Sequence, residues 1–238
     1  MKRLRNKKLL DINWSIIKAV IFDVDGTLYD QQNLRRRMLI ELIKYYLFHP
    51  RRLYDLKIIR DFRREREKRI SDFVVDLEEA QYNWTAKTSG VSPARVRSVI
   101  QKWIFEVPLQ HIPFCRYPGL VTFFDALVLR GIKTAVFSDY PAAEKLAVLG
   151  LKPGCITCAT DKDVGQLKPN PKGLLLVAEK LGVPIEQCLF IGDRDERDGE
   201  CARRAGMPYL ILNRKSFEVK HQFKAYYLLY QQLEYLDN

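Results

Sequence analysis

The chain has 238 residues, of which 47% are hydrophobic and 29% charged, and its formal charge is +11. This length suffices for one large core, or for one core with a small inserted domain. No run of about 18 uncharged apolar residues occurs, so a membrane-spanning helix is not expected. The basic first residues are followed by Asp11, Asn13 and Lys18, which are too polar for the apolar segment of a signal peptide.

The positive charge is concentrated in two stretches. Residues 1–10 carry five cations and no anion, and residues 31–70 carry 13 Lys and Arg against five Asp and Glu. A regional excess of this kind indicates an anionic partner more than a means of staying in solution. The candidates are a small phosphorylated substrate, an acidic membrane surface and nucleic acid. No nucleic-acid recognition motif accompanies the charge, so nucleic acid is not the predicted partner.

The five cysteines are an odd number without a small-domain framework, which favours reduced thiols and a cytoplasmic protein. Cys155 and Cys158 form a CxxC pair, but neither a second pair nor a histidine stands near them to complete a metal site. The apolar residues around the pair indicate a buried strand instead.

Short apolar runs rich in β-branched residues predict strands that are buried on both faces. They occur at residues 16–23, 133–138, 155–160, 188–192 and 209–212. Helical patterns lie between the later runs, at residues 120–130, 142–149, 171–181 and 199–205. This alternation predicts an α/β fold with a doubly wound, Rossmann-like parallel sheet.

The stretch from residue 31 to 113 interrupts the alternation, because it contains apolar residues at helical spacing and no convincing strand. Ser92 and Pro93 predict a helix start within it. The predicted organisation is a basic N-terminal segment (1–15), an α/β core (16–30 and 114–215), an inserted helical region (31–113) and a C-terminal helix packed on the core (216–238).

Polar side chains stand where the predicted strands end. Asp23 and Asp25 follow the first strand, Ser138 ends the second, and Asp193 ends the fourth. The carboxyl ends of parallel strands lie along one edge of a sheet, so these groups are expected to share a small pocket. Crowded carboxylates repel one another, and a hard divalent cation such as Mg²⁺ relieves the repulsion.

In these residues the sequence resembles the haloacid-dehalogenase-like hydrolases, most of which are phosphatases. The first motif of that family is Asp-x-Asp-Gly-Thr, here Asp23 to Thr27, and the second is a Ser or Thr that ends a strand, here Ser138. The third is a Lys, often before Pro, here Lys168-Pro169. The fourth is Gly-Asp with a further Asp downstream, here Asp193 and Asp198. The four motifs appear in the family's order, each at or just after a predicted strand.

The resemblance implies a magnesium-dependent phosphoric monoester hydrolase. Asp23 would be the nucleophile that forms an aspartyl-phosphate, and Asp25 the general acid and base. Thr27 would orient Asp25 and help to bind the phosphate. Mg²⁺ would be held by the Asp23 side chain, the Asp25 backbone carbonyl and Asp193.

The remaining motif residues also receive roles from the resemblance. Asp198 would be a further ligand or an anchor behind the metal. Ser138 and Lys168 would bind the transferring phosphoryl oxygens. A phosphomutase with the same intermediate stays an alternative, as does a membrane-surface or scaffold protein on an inert hydrolase fold. Asp25 disfavours a dehalogenase, which does not require the second aspartate.

In the resembled family, an insertion between the first and second motifs is a cap that closes over the site. The cap would supply substrate contacts, and its arginines, among them Arg35 to Arg37, would attract an ester with extra anionic character. Tyr45, Tyr46, Leu47 and Phe48 lie beside the charges, so the cap is also a candidate for contact with an acidic membrane, which would make the protein peripheral.

Overall fold

The computed structural model describes residues 12–69, 74–214 and 221–234, and its centre is a sheet in which every pair of neighbouring strands is parallel. The strands are β1 Ala19–Phe22, β2 Lys133–Ser138, β3 Cys155–Cys158, β4 Cys188–Gly192, β5 Tyr209–Leu212 and β6 Gln222–Phe223. Across the described sheet they lie in the order β3-β2-β1-β4-β5-β6. This order reverses direction at β1, so the predicted doubly wound α/β fold is confirmed.

Helices connect the strands and fill the insertion. They are α1 Gln31–Phe48, α2 Tyr54–Lys68, α3 Leu77–Ser89, α4 Pro93–Ile100, α5 Leu120–Leu129, α6 Ala143–Leu149, α7 Lys172–Leu181, α8 Glu200–Ala205 and α9 Tyr226–Glu234. A π-helical turn, Asp195–Gly199, leads into α8, and another, Gln101–Glu106, extends α4. Within the described residues, none of these helices has the length and apolar character needed to cross a bilayer.

The sheet is buried on both faces because successive side chains of its strands point to opposite sides. On β1, Val20 and Phe22 join a cluster with residues of α5, α6 and α9, whereas Ala19 and Ile21 join a second cluster with α7 and α8. All four residues have no exposed surface. This two-sided burial explains why the strand sequences are apolar without alternation.

The helical region, defined here as residues 31–113, has an apolar cluster of its own that includes Ile58, Phe62 and Trp103. Local capping fixes where its helices begin, since Asp30 accepts a hydrogen bond from the backbone N–H of Asn33 at 3.0 Å. The predicted helix start is confirmed: Ser92 caps α4, and Pro93 is its first residue.

Two of the aromatic residues that were expected beside the surface charges belong to this internal cluster. Tyr46 is buried, and Tyr45 stacks on His49 and packs edge-on against Trp103. The next two residues, Leu47 and Phe48, are 73% and 78% exposed. The apolar surface of α1 is therefore aliphatic at its centre, with Phe48 as its aromatic member.

The C-terminal part of the chain differs from the single helix that was predicted over residues 216–238. The short strand β6 pairs with β5 before α9 begins at Tyr226. Leu229 and Leu233 of α9 are buried beside α5, and the Tyr226 hydroxyl donates to the Thr27 carbonyl at 2.9 Å. The structure does not describe residues 1–11, 70–73, 215–220 and 235–238. The predictions made for those residues therefore lie outside the described part of the chain.

Candidate active site

A cavity of about 1310 Å³ lies between the carboxyl ends of the strands and the helical region. Its floor includes Asp23, Asp25 and Asp193 from the loops after β1 and β4, and α1 and α2 line its opposite side. Parallel strands direct their following loops to one edge of the sheet, and ligands of such sheets bind there. The sequence prediction of a shared pocket is met for these aspartates.

Asp23 is the residue directly after β1, and its side chain is fixed by two donors. The Lys168 ammonium donates to Asp23 Oδ1 at 2.5 Å, and the Thr27 hydroxyl donates to Oδ2 at 3.0 Å. Asp23 is 5% exposed, and Lys168 is 3% exposed. A buried carboxylate held at both oxygens keeps a single orientation toward the cavity.

Asp193 and Asp198 complete a cluster of three carboxylates. Oxygens of Asp23, Asp193 and Asp198 all lie within 4.8 Å of one another. The close approach depends on Gly26, which has φ of +101° and whose Cβ, if present, would lie 2.2 Å from Asp193 Oδ2. Any side chain there would push the Asp193 carboxylate out of the cluster.

The two downstream aspartates are bonded differently. Asp198 Oδ1 accepts from the Lys168 ammonium at 2.6 Å, and its Oδ2 accepts from the backbone N–H groups of Asp193 and Arg194. No described group donates a hydrogen bond to the Asp193 carboxylate. Asp198 is therefore bonded within the protein at both oxygens, whereas Asp193 is open to a ligand.

The negative charges of the three clustered carboxylates outnumber the positive charges that contact them. Three carboxylates carry three negative charges, and Lys168 supplies one positive charge in direct contact. Burial, opposed by Lys168 and reinforced by Asp198, raises the pKa of Asp23 to about 7. Burial, together with Asp23 and Asp198, raises the pKa of Asp193 to about 8. A divalent cation would balance the two remaining negative charges, so the residues fit a metal ion.

Asp25 is bonded to a different cation. The Lys145 ammonium of α6 donates to its two oxygens at 2.6 and 2.7 Å, and the Tyr29 hydroxyl also donates to Oδ1. Burial opposes the charged form of Asp25, but Lys145 and Tyr29 outweigh it and hold the pKa below its ordinary value. The prediction that Thr27 orients Asp25 is wrong, because the Thr27 hydroxyl is bonded to Asp23.

Ser138 and Thr27 do not contribute surface to the cavity, although both were predicted to bind phosphate. Ser138 is 1% exposed at the end of β2, where its hydroxyl accepts from the Tyr140 backbone N–H at 3.2 Å. β2 is adjacent to β1 in the sheet, so Ser138 lies at the correct edge. The phosphate-binding role of both residues stays a prediction.

Comparison with known proteins identifies the family. A family model described as haloacid dehalogenase-like hydrolase matches residues 17–206, which include all four motifs and the helical region. The chain belongs to the haloacid dehalogenase-like hydrolases.

Relatives and solved structures of this family agree with that identification. Glyceraldehyde 3-phosphate phosphatase of Methanopyrus kandleri is 26% identical over 85% of this chain and 87% of its own length. Phosphoglycolate phosphatase of Xanthomonas campestris is 40% identical, over 29% of this chain and 31% of its own length. The crystal structure of 2-haloacid dehalogenase from Pseudomonas syringae has a TM-score of 0.64 at 19% identity and covers 92% of this chain and 99% of its own. The prediction of a phosphatase-type hydrolase of this family, a phosphoric monoester hydrolase, is confirmed.

Three residues of this hydrolase's site were missed from the sequence. Lys145 lies within α6 and stands in no motif, so nothing local connects it to Asp25. Tyr29 follows Asp25 by four residues, and that spacing in a tight loop was the available signal. Asp139 follows Ser138 and accepts from the Lys168 backbone N–H at 3.0 Å and from Arg197 at 2.7 Å, which positions Lys168.

Proposed function

We propose that this hydrolase is a Mg²⁺-dependent phosphatase that cleaves a phosphate monoester through an aspartyl-phosphate on Asp23. The observation that carries the proposal is the open Asp193 carboxylate, which lies beside a buried nucleophile candidate in a cluster with two uncompensated negative charges. Asp193 is half-buried, and a carboxylate that has no hydrogen-bond donor and lies beside two further carboxylates is costly to keep charged, so its retention points to a ligand that is positively charged.

Asp23 and Asp193 would hold Mg²⁺ with the Asp25 backbone carbonyl, and Asp198 would anchor the cluster through its bonds to Lys168 and the backbone. When bound, the ion supplies charge that shields the nucleophile from the phosphate and stabilises the transferring group. Lys168 contributes a second positive charge at the same place, because its ammonium contacts both Asp23 and Asp198. With its charge balanced, Asp23 is deprotonated and nucleophilic near neutral pH.

In the first step Asp25, which Lys145 and Tyr29 keep ionised in the free site, takes the proton of the entering phosphate monoester monoanion. Asp23 then attacks phosphorus, the bond to the ester oxygen breaks, and Asp25 passes that proton to the leaving oxygen. In the second step Asp25 takes a proton from water, the water oxygen attacks phosphorus, and Asp23 is released with inorganic phosphate. Lys145 and Tyr29 hold Asp25 in one orientation through both steps. Ser138 and Lys168 would bind the oxygens of the transferring phosphoryl group.

We further propose that the helical region is a cap over this site. Side-chain contacts join it to the sheet, since Glu67 of α2 accepts from Arg194 and Arg197, and Arg66 donates to the Asp139 carbonyl at 2.6 Å. Opening would break these polar contacts and would also move Leu34, Ile112 and Leu77 away from the apolar clusters of the sheet. A cap held in this way can exclude water during the reaction and still release product.

The test is the release of inorganic phosphate from a panel of esters, including glyceraldehyde 3-phosphate and 2-phosphoglycolate, with Mg²⁺ and after EDTA treatment. Asp23→Asn should abolish release without changing the circular dichroism spectrum. Asp195→Asn is the matched control, because Asp195 lines the same cavity but pairs with Arg203 at 3.1 Å. Turnover of Asp23→Asn at the wild-type rate would remove the nucleophile assignment. Transfer of phosphate between sugar positions without its release would favour the phosphomutase.

A second candidate function, contact with an acidic membrane surface, is favoured by the exposed face of α1. Ile40, Ile43 and Leu47 are at least half exposed, and the neighbouring Arg51 and Arg52 are exposed without a carboxylate partner in the described chain. Anionic lipid matches both features, whereas a second copy would bring these cations together. Co-sedimentation with vesicles should require phosphatidylglycerol and be lost in Leu47→Glu; dimerisation of the free protein through this face would contradict the assignment.

A further inference from the structure

The cationic side chains around the cavity differ in their hydrogen-bond partners. Eight Lys and Arg side chains line it, namely Arg35, Arg63, Arg66, Lys145, Lys168, Arg194, Arg197 and Arg214. Six of them donate to carboxylate, carbonyl or amide oxygens of neighbouring elements. The exceptions are Arg35, which donates only to the neutral Gln31 side chain at 3.0 Å, and Arg63, which has no hydrogen bond or ion pair in the described chain.

Arg63 is an exposed residue whose side chain lines the cavity. Desolvation by the surrounding protein lowers the pKa of Arg63, and the positive charge of Arg35 lowers it further, against the attraction of Tyr140 and Asp25. The side chain retains accessible surface because the cavity is open on one side. A guanidinium without a counter-charge beside a second guanidinium is stabilised by any anion that enters.

The location of Arg63 indicates which part of a substrate would carry that anion. The transferring phosphoryl group belongs at Asp23 and Lys168, and the leaving oxygen belongs at Asp25, which donates its proton to it. Arg63 lies on α2, on the side of the cavity opposite the strand ends that carry Asp23 and Asp25, and its charge favours the ionised form of Asp25. An anion at Arg63 is therefore attached to the leaving alcohol and is not part of the transferring phosphate.

We propose that Arg63 and Arg35 form a second anion-binding site, so that the substrate is a phosphate ester whose alcohol portion carries a carboxylate or a second phosphate. This inference rests on the proposed phosphatase function and adds the class of substrate to it. A guanidinium binds either anion through two parallel hydrogen bonds, which accounts for arginine at both positions. The cavity of about 1310 Å³ has room for such an alcohol beside the transferring phosphate.

The chain supplies matched controls for this site. Arg64 and Arg36 directly follow Arg63 and Arg35. All four arginines are exposed, but Arg64 and Arg36 do not line the cavity. Arg35 and Arg36 lie on α1, and Arg63 and Arg64 lie on α2, so each control variant loses the same charge from the same helix as the variant it is compared with. If the arginines attract the substrate only through their long-range field, all four changes should lower the preference for the more anionic ester to a similar degree. If Arg63 and Arg35 form a binding site, only Arg63→Gln and Arg35→Gln should lower that preference.

The experiment measures kcat/KM with Mg²⁺ for two pairs of esters. One pair is 3-phosphoglycerate and glycerol 3-phosphate, and the other is glucose 1,6-bisphosphate and glucose 6-phosphate. We expect the wild type to prefer the extra anion in at least one pair, and the pair that shows it distinguishes a carboxylate from a phosphate. Arg63→Gln should reduce that preference by about 10- to 100-fold. Arg63→Lys should reduce the preference less than Arg63→Gln does, and Arg64→Gln should keep the wild-type ratio of kcat/KM values.

Any one of three results would contradict the proposed anion-binding site. The wild type could show equal kcat/KM within both pairs of esters, Arg63→Gln could keep the wild-type preference, or Arg64→Gln could lose as much of the preference as Arg63→Gln. Thermal denaturation of each variant separates loss of binding from loss of folding, and Arg63→Lys provides a folded variant that still tests the geometry. Failure of all four esters to release phosphate would instead contradict the phosphatase function itself.

Discussion

Lys145→Met tests whether the cation of α6 holds Asp25 in its charged form. The substitution removes the ammonium and keeps an unbranched side chain of similar length at a position that is 6% exposed. Removing one partner of a buried ion pair costs about 3–5 kcal/mol. Asp25 keeps the Tyr29 hydrogen bond and is 17% exposed, so we expect a loss near the lower end, about 3 kcal/mol at pH 8.

The pH dependence of that loss has a defined sign. In the wild type the pKa of Asp25 lies below 3.8, so its contribution to stability is present above that pH and disappears as the pH falls through the lowered pKa. In Lys145→Met burial becomes the main influence and raises the pKa of Asp25 above 3.8. The variant then becomes less stable as the pH rises from about 4, and its deficit relative to the wild type grows.

The assay is urea denaturation in EDTA at pH 5 and pH 8, followed by circular dichroism. Asp25→Asn and the double variant complete a cycle, in which the double variant should be destabilised by less than the sum of the single changes. Lys180→Met is the control, since its pair with Asp163 is exposed and should contribute less than about 1 kcal/mol. A loss of Lys145→Met below about 0.5 kcal/mol at pH 8, or additive single changes, would refute the role of the pair.

Two further predictions concern the carboxylate cluster. Gly26→Ala should lower the rate of phosphate release by about 100-fold, because the new Cβ would displace the Asp193 carboxylate. Gly90→Ala is the control, because Gly90 also has a positive φ, +70°, but its Cβ would meet nothing within 4 Å, so the change should lower only stability. Equal activity of the two variants would contradict the role of Gly26. The metal-free protein should lose thermal stability between about pH 4 and pH 8, because folding raises the pKa of Asp23 to about 7 and of Asp193 to about 8. Mg²⁺ should raise Tm more at pH 8 than at pH 5, and a reversed order would contradict the ligand set.

The sequence predicted the sheet and the cluster because both follow from local patterns. Buried strands are short apolar runs, and the residues that end parallel strands meet at one edge whatever the loops do. This reasoning brought together Asp23 and Asp193 from distant parts of the chain, and the resemblance to the family added Lys168. It missed β6, because a two-residue strand at a sheet edge has too few residues to form an apolar run.

The partners of individual side chains could not be predicted from the sequence. The Thr27 hydroxyl bonds to Asp23, and the Lys145 ammonium bonds to Asp25. Which aspartate each one contacts depends on side-chain directions in a tight loop and on where α6 packs. The same limit applies to the basic run of α2. Arg63 and Arg64 are adjacent and chemically identical, and only the packing of the helix decides which of them lines the cavity.

The bond between the Tyr226 hydroxyl and the Thr27 carbonyl spans 199 positions of the chain. The turn that carries Asp23 is thus made before the helix that supports its backbone, which is the last of the described elements. A ribosome must add almost two hundred residues before this support exists. Nascent chains that lack α9 would therefore hold Asp23 in a loosely fixed turn, and hydrolysis would begin only after translation has passed Tyr226.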